Sequence, residues 1–188
     1  MTKKNKVEAV PQTFQMSYHL HRPWSDILLE THLPPMILEK MIKISDNVLT
    51  DSKRIQWGNN LAGQVKEEPL IEPKLLDKDN LTDFFGNMVH EYVHQCNLQK
   101  TPPDQSQNME NVKNHIQVTL NSMWIVEQQP GEYNPIHTHT NCDISTVMYL
   151  KVPNFLPSEK INRDDDGTIY FVGGVGEHTK LKMSSLKI

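Results

Sequence analysis

A chain of 188 residues with 37% hydrophobic and 22% charged residues can bury one sizeable core, which predicts a single folded domain and argues against a disordered chain. The net charge of -4 and the lack of a Lys/Arg-rich run give no sign of a nucleic-acid or anionic-membrane surface. No apolar run approaches the roughly 20 residues of a membrane-spanning helix. No apolar signal region follows the basic start, so we expect a cytoplasmic protein. Cys96 and Cys142 lack metal-type spacing, which predicts neither a disulfide framework nor a zinc knuckle.

The N-terminal half has helical patterns. Residues 1–12 are polar and non-periodic, so we expect a flexible tail followed by one domain over 13–188, with a helical part at 13–100. Pro34 and Pro35 precede apolar residues at helical spacing, which predicts a helix over 35–49. A second helix is expected to begin at Asn80 as its cap, with Asp83 completing a capping-box-like pair. The connection over 52–78 is rich in turn residues, with room for one short strand near Ile71.

The C-terminal half, from about residue 114, has the alternating pattern of β-strands. The apolar members of the first strand, on one face of it, are Ile116, Val118, Leu120, Trp124 and Val126, and the first four are predicted to pack in the core. A turn is expected at 129–132, followed by strands over 144–152, 168–172 and 180–188, with a further turn at 164–167.

A histidine pair lies between two of these predicted strands. His137 and His139 are two residues apart, so in an extended chain both imidazoles project from one face, and Asp143 follows four residues later. Two imidazoles and one carboxylate form the ligand set of non-haem Fe(II) oxygenases. The same His-x-His spacing also occurs on exposed strand ends without any metal, so the pattern alone leaves both interpretations open.

A competing motif lies in the second predicted helix. His90, Glu91 and His94 fit the H-E-x-x-H pattern of zinc peptidases. A helical projection places both histidines opposite the apolar stripe, and the continuation lacks the Gly and third His of metzincins. A solvated helix face is therefore the favoured interpretation. His19 and His21 repeat the i,i+2 spacing without a nearby carboxylate, and we interpret them as edge-strand or loop residues.

A family resemblance begins at residue 60. It is carried by the stretch 60–68 (NLAGQVKEE), by Trp124 and Gly131, by 137–145 (HTHTNCDIS), by 147–153 (VMYLKVP) and by 166–171 (DGTIYF). In these stretches the chain resembles a family of Fe(II)/2-oxoglutarate-dependent oxygenases common in phages of cyanobacteria and in bacteria. The resemblance covers most of the chain. If the gene is phage-borne, the expected location is the host cytoplasm.

The resemblance implies an α+β fold in which N-terminal helices pack on a double-stranded β-helix, a jelly roll, over about 114–188. It implies Fe(II) and 2-oxoglutarate, with ascorbate as a further candidate cofactor, and hydroxylation of a C–H bond of an unspecified substrate. Iron would be held by His137 together with His139 or Asp143. Tyr149 and Asn121 are candidate contacts to 2-oxoglutarate, although a core-facing tyrosine is an equal alternative.

The sequence departs from this family near its end. The family's distal histidine and its 2-oxoglutarate-binding arginine have no counterpart after His178. We therefore expect a C-terminally incomplete jelly roll, an incomplete active site with little 2-oxoglutarate turnover, and an open sheet edge suited to homo-oligomer formation. A non-catalytic jelly-roll binding or assembly module remains the alternative function, with the zinc peptidase less favoured.

Overall fold

The computed structural model describes residues 16–21, 27–58, 61, 64–100, 116–153, 167–173 and 177–182. Several parts of the chain discussed above lie outside the described residues. They are the predicted tail at 1–12, most of the turn at 164–167, the side chain of His178 and the end of the last predicted strand. Within the described part, no helix is both long and apolar enough to cross a membrane.

The described chain combines helices with antiparallel strands. In chain order the elements are β1 (Tyr18–His21), β2 (Leu28–Thr31), α1 (Pro35–Thr50), α2 (Pro73–Asp77), α3 (Leu81–Lys100), β3 (Thr168–Gly173) and β4 (Glu177–Lys182). β1 pairs with β2 and β3 pairs with β4, giving two two-stranded antiparallel sheets. The mixed helix and strand content is as predicted. The described residues do not form a double-stranded β-helix, so that part of the fold stays a prediction.

The helical layer contains the hydrophobic core. α1 begins with Pro35 in its first turn, where the missing N–H has no partner to lose, and it buries Ile37, Met41, Ser45 and Val48 at helical spacing. Ile37 and Met41 form the core cluster with Ile71, Leu76 and Leu81. The sequence predicted α1 to within a residue. α3 begins at Leu81, directly after Asn80: the Asn80 carbonyl accepts a hydrogen bond from the N–H of Phe84, and Asn80 adopts a left-handed φ of 56°. The side-chain capping pair of Asn80 and Asp83 stays a prediction.

A short antiparallel ladder joins this core to the C-terminal half. Segment 67–71 pairs with 55–57 on one side, through the bridge Gln56–Pro69, and with 123–127 on the other, through Glu67–Glu127 and Leu70–Trp124. Backbone bonds from Ile71 N to Met123 O and from Ile125 N to Pro69 O, at 2.8 and 2.9 Å, fix the register. The strand predicted near Ile71 therefore corresponds to the middle segment of this ladder.

The two faces of the ladder have different neighbours. Ile71, Met123 and Ile125 pack with the helices, so the alternation of side chains places Glu68 and Trp124 on the face away from them. The prediction that Trp124 belongs to the core with Leu120 is wrong. Leu120 does pack against the core, but the alternation shifts by one residue before Met123. A one-residue slip exchanges the two faces, so Trp124 is free to face the histidines.

The remaining strand predictions had mixed outcomes. β3 confirms the strand over 168–172, and β4 covers the first part of the strand predicted at 180–188 but starts three residues earlier, at Glu177. Residues 144–152 form no strand, which contradicts that prediction. Met148 and Leu150 nevertheless pack against the helical core. The alternation therefore predicted their burial correctly, although their backbone has no ladder partner among the described residues.

Candidate functional site

The site begins with a turn that the sequence predicted. The N–H of Glu132 donates to the carbonyl of Gln129 at 3.0 Å, Pro130 occupies the second position, and Gly131 has a φ of 87°. A residue with positive φ after a proline is the requirement of a type II turn, which a side chain at Gly131 would strain. The N–H of Gln64 donates to the carbonyl of Tyr133 at 3.1 Å and fastens the chain after the turn beside the segment that leads into the ladder.

The structure brings together the two histidines that were predicted as metal ligands, His137 and His139. The ring centroids of His137 and His139 are 4.9 Å apart, with the rings inclined at 66°. Nδ1 of His137 lies 2.8 Å from the carbonyl oxygen of Pro135. Because a carbonyl can only accept, Nδ1 carries the proton, and Nε2 keeps the lone pair that a metal ion needs.

The surroundings of His139 favour its neutral form. Partial desolvation by the surrounding protein lowers the pKa of His139 below its ordinary value, and the neighbouring His137 lowers it further. A neutral imidazole is the form that ligates metals. His139 is exposed as a residue, so a ligand can reach its ring.

Two contacts hold the histidine loop, which we define as residues 135–143. The ring of Trp124 lies 6.2 Å from that of His139, between centroids, and thus connects the loop to the ladder. The side-chain amide of Asn121 donates to the carbonyl of Asn141 at 2.8 Å, and Asn141 itself has a left-handed φ of 59°. Asn121, predicted as a cosubstrate contact, is therefore seen as an anchor of the loop.

Asp143 is not part of the histidine pair as the structure stands. It is exposed, and no three His, Cys, Asp or Glu side chains of the described residues come together in a way that could hold a metal ion. Tyr149, the other predicted cosubstrate contact, is half-buried between the core-packed Met148 and Leu150. Burial raises the pKa of its phenol, so the hydroxyl remains protonated and can donate a hydrogen bond at neutral pH.

Sequence reasoning gave no role to Glu68, although it lies in a block that carries the family resemblance. The residue is 1% exposed, and its Oε2 has no hydrogen-bond partner among the described residues. Burial raises its pKa, the nearby carboxylate of Glu132 raises it further, and His137 opposes the shift. Glu68 thus lies close enough to Glu132 and His137 to interact with them electrostatically. Only the fold reveals this, because a glutamate in a turn-rich stretch has no periodicity to mark it as buried.

The competing motif on α3 lies beside β1. The carboxylate of Glu91 accepts hydrogen bonds from the side chains of Gln95, at 2.7 Å, and Tyr18, at 3.4 Å. His90 and His94 are partly exposed. A cavity of about 320 Å³ lies nearby, lined by Tyr18, Glu91 and apolar side chains of β2 and α3. Its lining includes no residue of the histidine loop.

Comparison with known proteins agrees with the sequence resemblance in the C-terminal half. Residues 122–186 match the model of a family described as "Putative 2OG-Fe(II) oxygenase". This region spans about a third of the chain and contains His137, His139, Asp143 and Tyr149. Comparisons with curated proteins and with solved structures gave no match.

Proposed function

We propose that this protein is an Fe(II)/2-oxoglutarate-dependent oxygenase that binds iron through His137 and His139. The observation that carries the proposal is the match of residues 122–186 to that oxygenase family, together with the convergence of the two histidines inside the matched region. The contacts of the protein chain alone are enough to bring the two rings together.

The donor set fits iron in part. Two imidazoles, one of them oriented by a backbone carbonyl, are typical first ligands of Fe(II) in the facial arrangement of two histidines and one carboxylate. Asp143 is the proposed carboxylate, at the end of the same exposed loop, and it must move toward the rings to join them. Iron with 2-oxoglutarate would supply the oxidation of a substrate C–H bond.

The residues of this chain would contribute binding and orientation. Pro135 O fixes the tautomer of His137, Trp124 limits the freedom of the His139 ring, and Asn121 restrains the far end of the loop through Asn141 O. The hydroxyl of Tyr149, protonated at neutral pH, is the proposed hydrogen-bond donor to a 2-oxoglutarate carboxylate.

Titration with Mn(II), followed by electron paramagnetic resonance or calorimetry, tests the metal site directly. We expect saturable binding that is lost in His137→Ala/His139→Ala and weakened in Asp143→Asn. His19→Ala/His21→Ala is a matched control, because β1 carries the same His-x-His spacing, and Mn(II) binding should be unchanged there.

Equal Mn(II) binding by the wild type and the His137/His139 variant would refute the proposal and favour a non-catalytic module. Release of succinate from 2-oxoglutarate, with Fe(II) and ascorbate present, then tests the cosubstrate. Loss of a bound zinc from His90→Gln/His94→Gln would instead favour the peptidase function.

A further inference from the structure

Glu91, the glutamate of the H-E-x-x-H motif on α3, lines a cavity that the proposed oxygenase site does not use. The cavity has a volume of about 320 Å³ and lies between α3 and the hairpin formed by β1 and β2. Neither His90 nor His94 belongs to its described lining. The glutamate and the histidines of the motif therefore do not share one space, and zinc-peptidase chemistry does not explain the position of the carboxylate.

Hydrogen bonds between the helix and the hairpin frame this cavity. The hydroxyl of Tyr92 on α3 donates to the carbonyl of Ile27, just before β2, at 2.7 Å. The hydroxyl of Tyr18 on β1 donates to Oε1 of Glu91 at 3.4 Å. The same oxygen accepts from the side-chain amide of Gln95, one helical turn further along, at 2.7 Å. These bonds hold the carboxylate in position before any ligand binds.

The lining combines apolar side chains with one carboxylate. Its apolar members are Met16, Leu29, Phe84 and Met88, and its uncharged polar members are Tyr18, Thr31 and Asn87. Glu91 carries the only formal charge among the described lining residues. A negative charge in a mainly apolar wall attracts cations and repels anions. The ligand that matches this wall has an apolar body and a cationic end.

The volume and the opening of the cavity limit the size of that ligand. At about 30 Å³ per water molecule, 320 Å³ is the space of roughly ten waters, which suits a compound of about ten non-hydrogen atoms. Tyr18 and Asn87 are exposed members of the lining, so a ligand can enter beside them. The distance of 3.4 Å from Tyr18 to Glu91 is long for an O–H···O bond, which is usually about 2.5–3.0 Å. A cationic donor can therefore replace the hydroxyl at little cost.

We propose that this cavity binds a small free amine, with its ammonium group at Glu91 and its alkyl or aryl body against Leu29, Phe84 and Met88. The ammonium group donates a charge-assisted hydrogen bond to the carboxylate, and the flexible methionine side chain adapts to the shape of the body. The inference goes beyond the proposed oxygenase function and does not rest on it, because no residue of the histidine loop takes part. A lysine side chain of a peptide presents the same ammonium group, and the test separates the two sources.

Calorimetry and amide NMR of the full chain, with phenethylamine as the probe, test the inference. We expect saturable binding, with amide shifts confined to β1, β2 and α3. Phenylethyl alcohol keeps the apolar body without the charge, ethylamine keeps the charge without the ring, and phenylacetate reverses the charge. Each should bind at least tenfold more weakly than phenethylamine, because a charge-assisted bond or the apolar contact is lost. N-acetyl-lysine methylamide, which is larger than the cavity can enclose, should also bind more weakly.

Three variants locate the binding site. Glu91→Gln keeps the size of the side chain and its contacts with Tyr18 and Gln95 but removes the charge, so it should weaken phenethylamine binding at least tenfold. Asn87→Trp narrows the opening and should weaken binding by a similar factor. Asp83→Asn is the matched control, because Asp83 is an exposed acid of the same helix outside the described lining, and binding should be unchanged.

The possible outcomes decide the question. Absence of saturable phenethylamine binding, or equal binding by the wild type and Glu91→Gln, overturns the inference. Tighter binding of N-acetyl-lysine methylamide than of phenethylamine overturns the free amine as the ligand. If Glu91→Gln does not fold, as judged by circular dichroism, Asn87→Trp decides, because an exposed position on the helix surface can accept a larger side chain. Mn(II) binding at the histidine loop is measured separately, so failure of either proposal leaves the other standing.

Discussion

Removing the Asn121 side chain should weaken metal binding while the fold is retained. Its amide donates to the carbonyl of Asn141 at 2.8 Å, and this bond joins the ladder to the far end of the histidine loop. Asn121→Ala removes the bond without creating a buried cavity, because the residue is exposed. The loop should then sample arrangements in which His137 and His139 are not held for chelation.

The size of the effect follows from the one bond that is lost. A neutral intramolecular hydrogen bond contributes a net 0.5–1.5 kcal/mol, so about 1 kcal/mol of loop ordering is removed. If metal binding must restore that order, the Kd for Mn(II) rises about fivefold. The free energy of unfolding should fall by no more than about 1 kcal/mol, the net contribution of that one bond.

Mn(II) titration and urea unfolding of Asn121→Ala measure the two effects separately. Gln128→Ala is the matched control, because Gln128 also donates from an exposed amide to a backbone carbonyl, that of Glu132, outside the histidine loop. Its Mn(II) affinity should equal that of the wild type. An unchanged Mn(II) affinity in Asn121→Ala, with weaker 2-oxoglutarate binding, would refute the anchoring role and restore the direct contact expected from the sequence.

Three further predictions concern the fold. Met41→Ala should lower the free energy of unfolding in urea by about 2–5 kcal/mol, since Met41 is 0% exposed at the centre of the core. Hydrogen bonds from Arg54 and, to a lesser extent, from Gln56 lower the pKa of Glu67. The stabilisation by the ionised carboxylate is therefore present above the ordinary pKa of 4.5 and is lost as the pH falls through the lowered pKa. Urea unfolding from pH 7 to 3 should show a smaller loss of stability in Glu67→Gln than in the wild type. Replacing both partly exposed histidines of α3, His90 and His94, with Gln should change the unfolding free energy by less than about 1 kcal/mol; a larger loss would contradict a surface role.

The sequence predicted those features that depend on local chemistry. α1 is encoded by a proline pair followed by apolar residues at helical spacing, and the turn at 129–132 by the requirement for Gly131 after Pro130. The juxtaposition of His137 and His139 was likewise expected from their i,i+2 spacing, and the structure shows their rings 4.9 Å apart. Each of these patterns is complete within about 16 residues.

The features that the sequence did not predict depend on partners that are distant in the chain. Trp124 was assigned to the core because alternation was continued through a one-residue shift that only the pairing with Leu70 reveals. The sequence does not mark Glu68 as part of the site because its neighbour Glu132 lies more than 60 residues away in the chain. The strand predicted over 144–152 has alternating apolar residues but no ladder partner in the described part of the chain.

The ladder segment 67–71 explains why the candidate site and the core depend on each other. Ile71 fills the core beside Met41, while Glu68, on the opposite face of the same segment, lies beside Glu132 and His137. Side chains that alternate across one short segment are fixed by the same backbone bonds, so the packing of Ile71 also sets the position of Glu68. A buried carboxylate with an unpaired oxygen reduces stability, and the apolar contacts of Ile71 offset that cost. The helices therefore contribute to the site without donating a side chain to it. By packing against Ile71, they hold the carboxylate of Glu68 in a buried position.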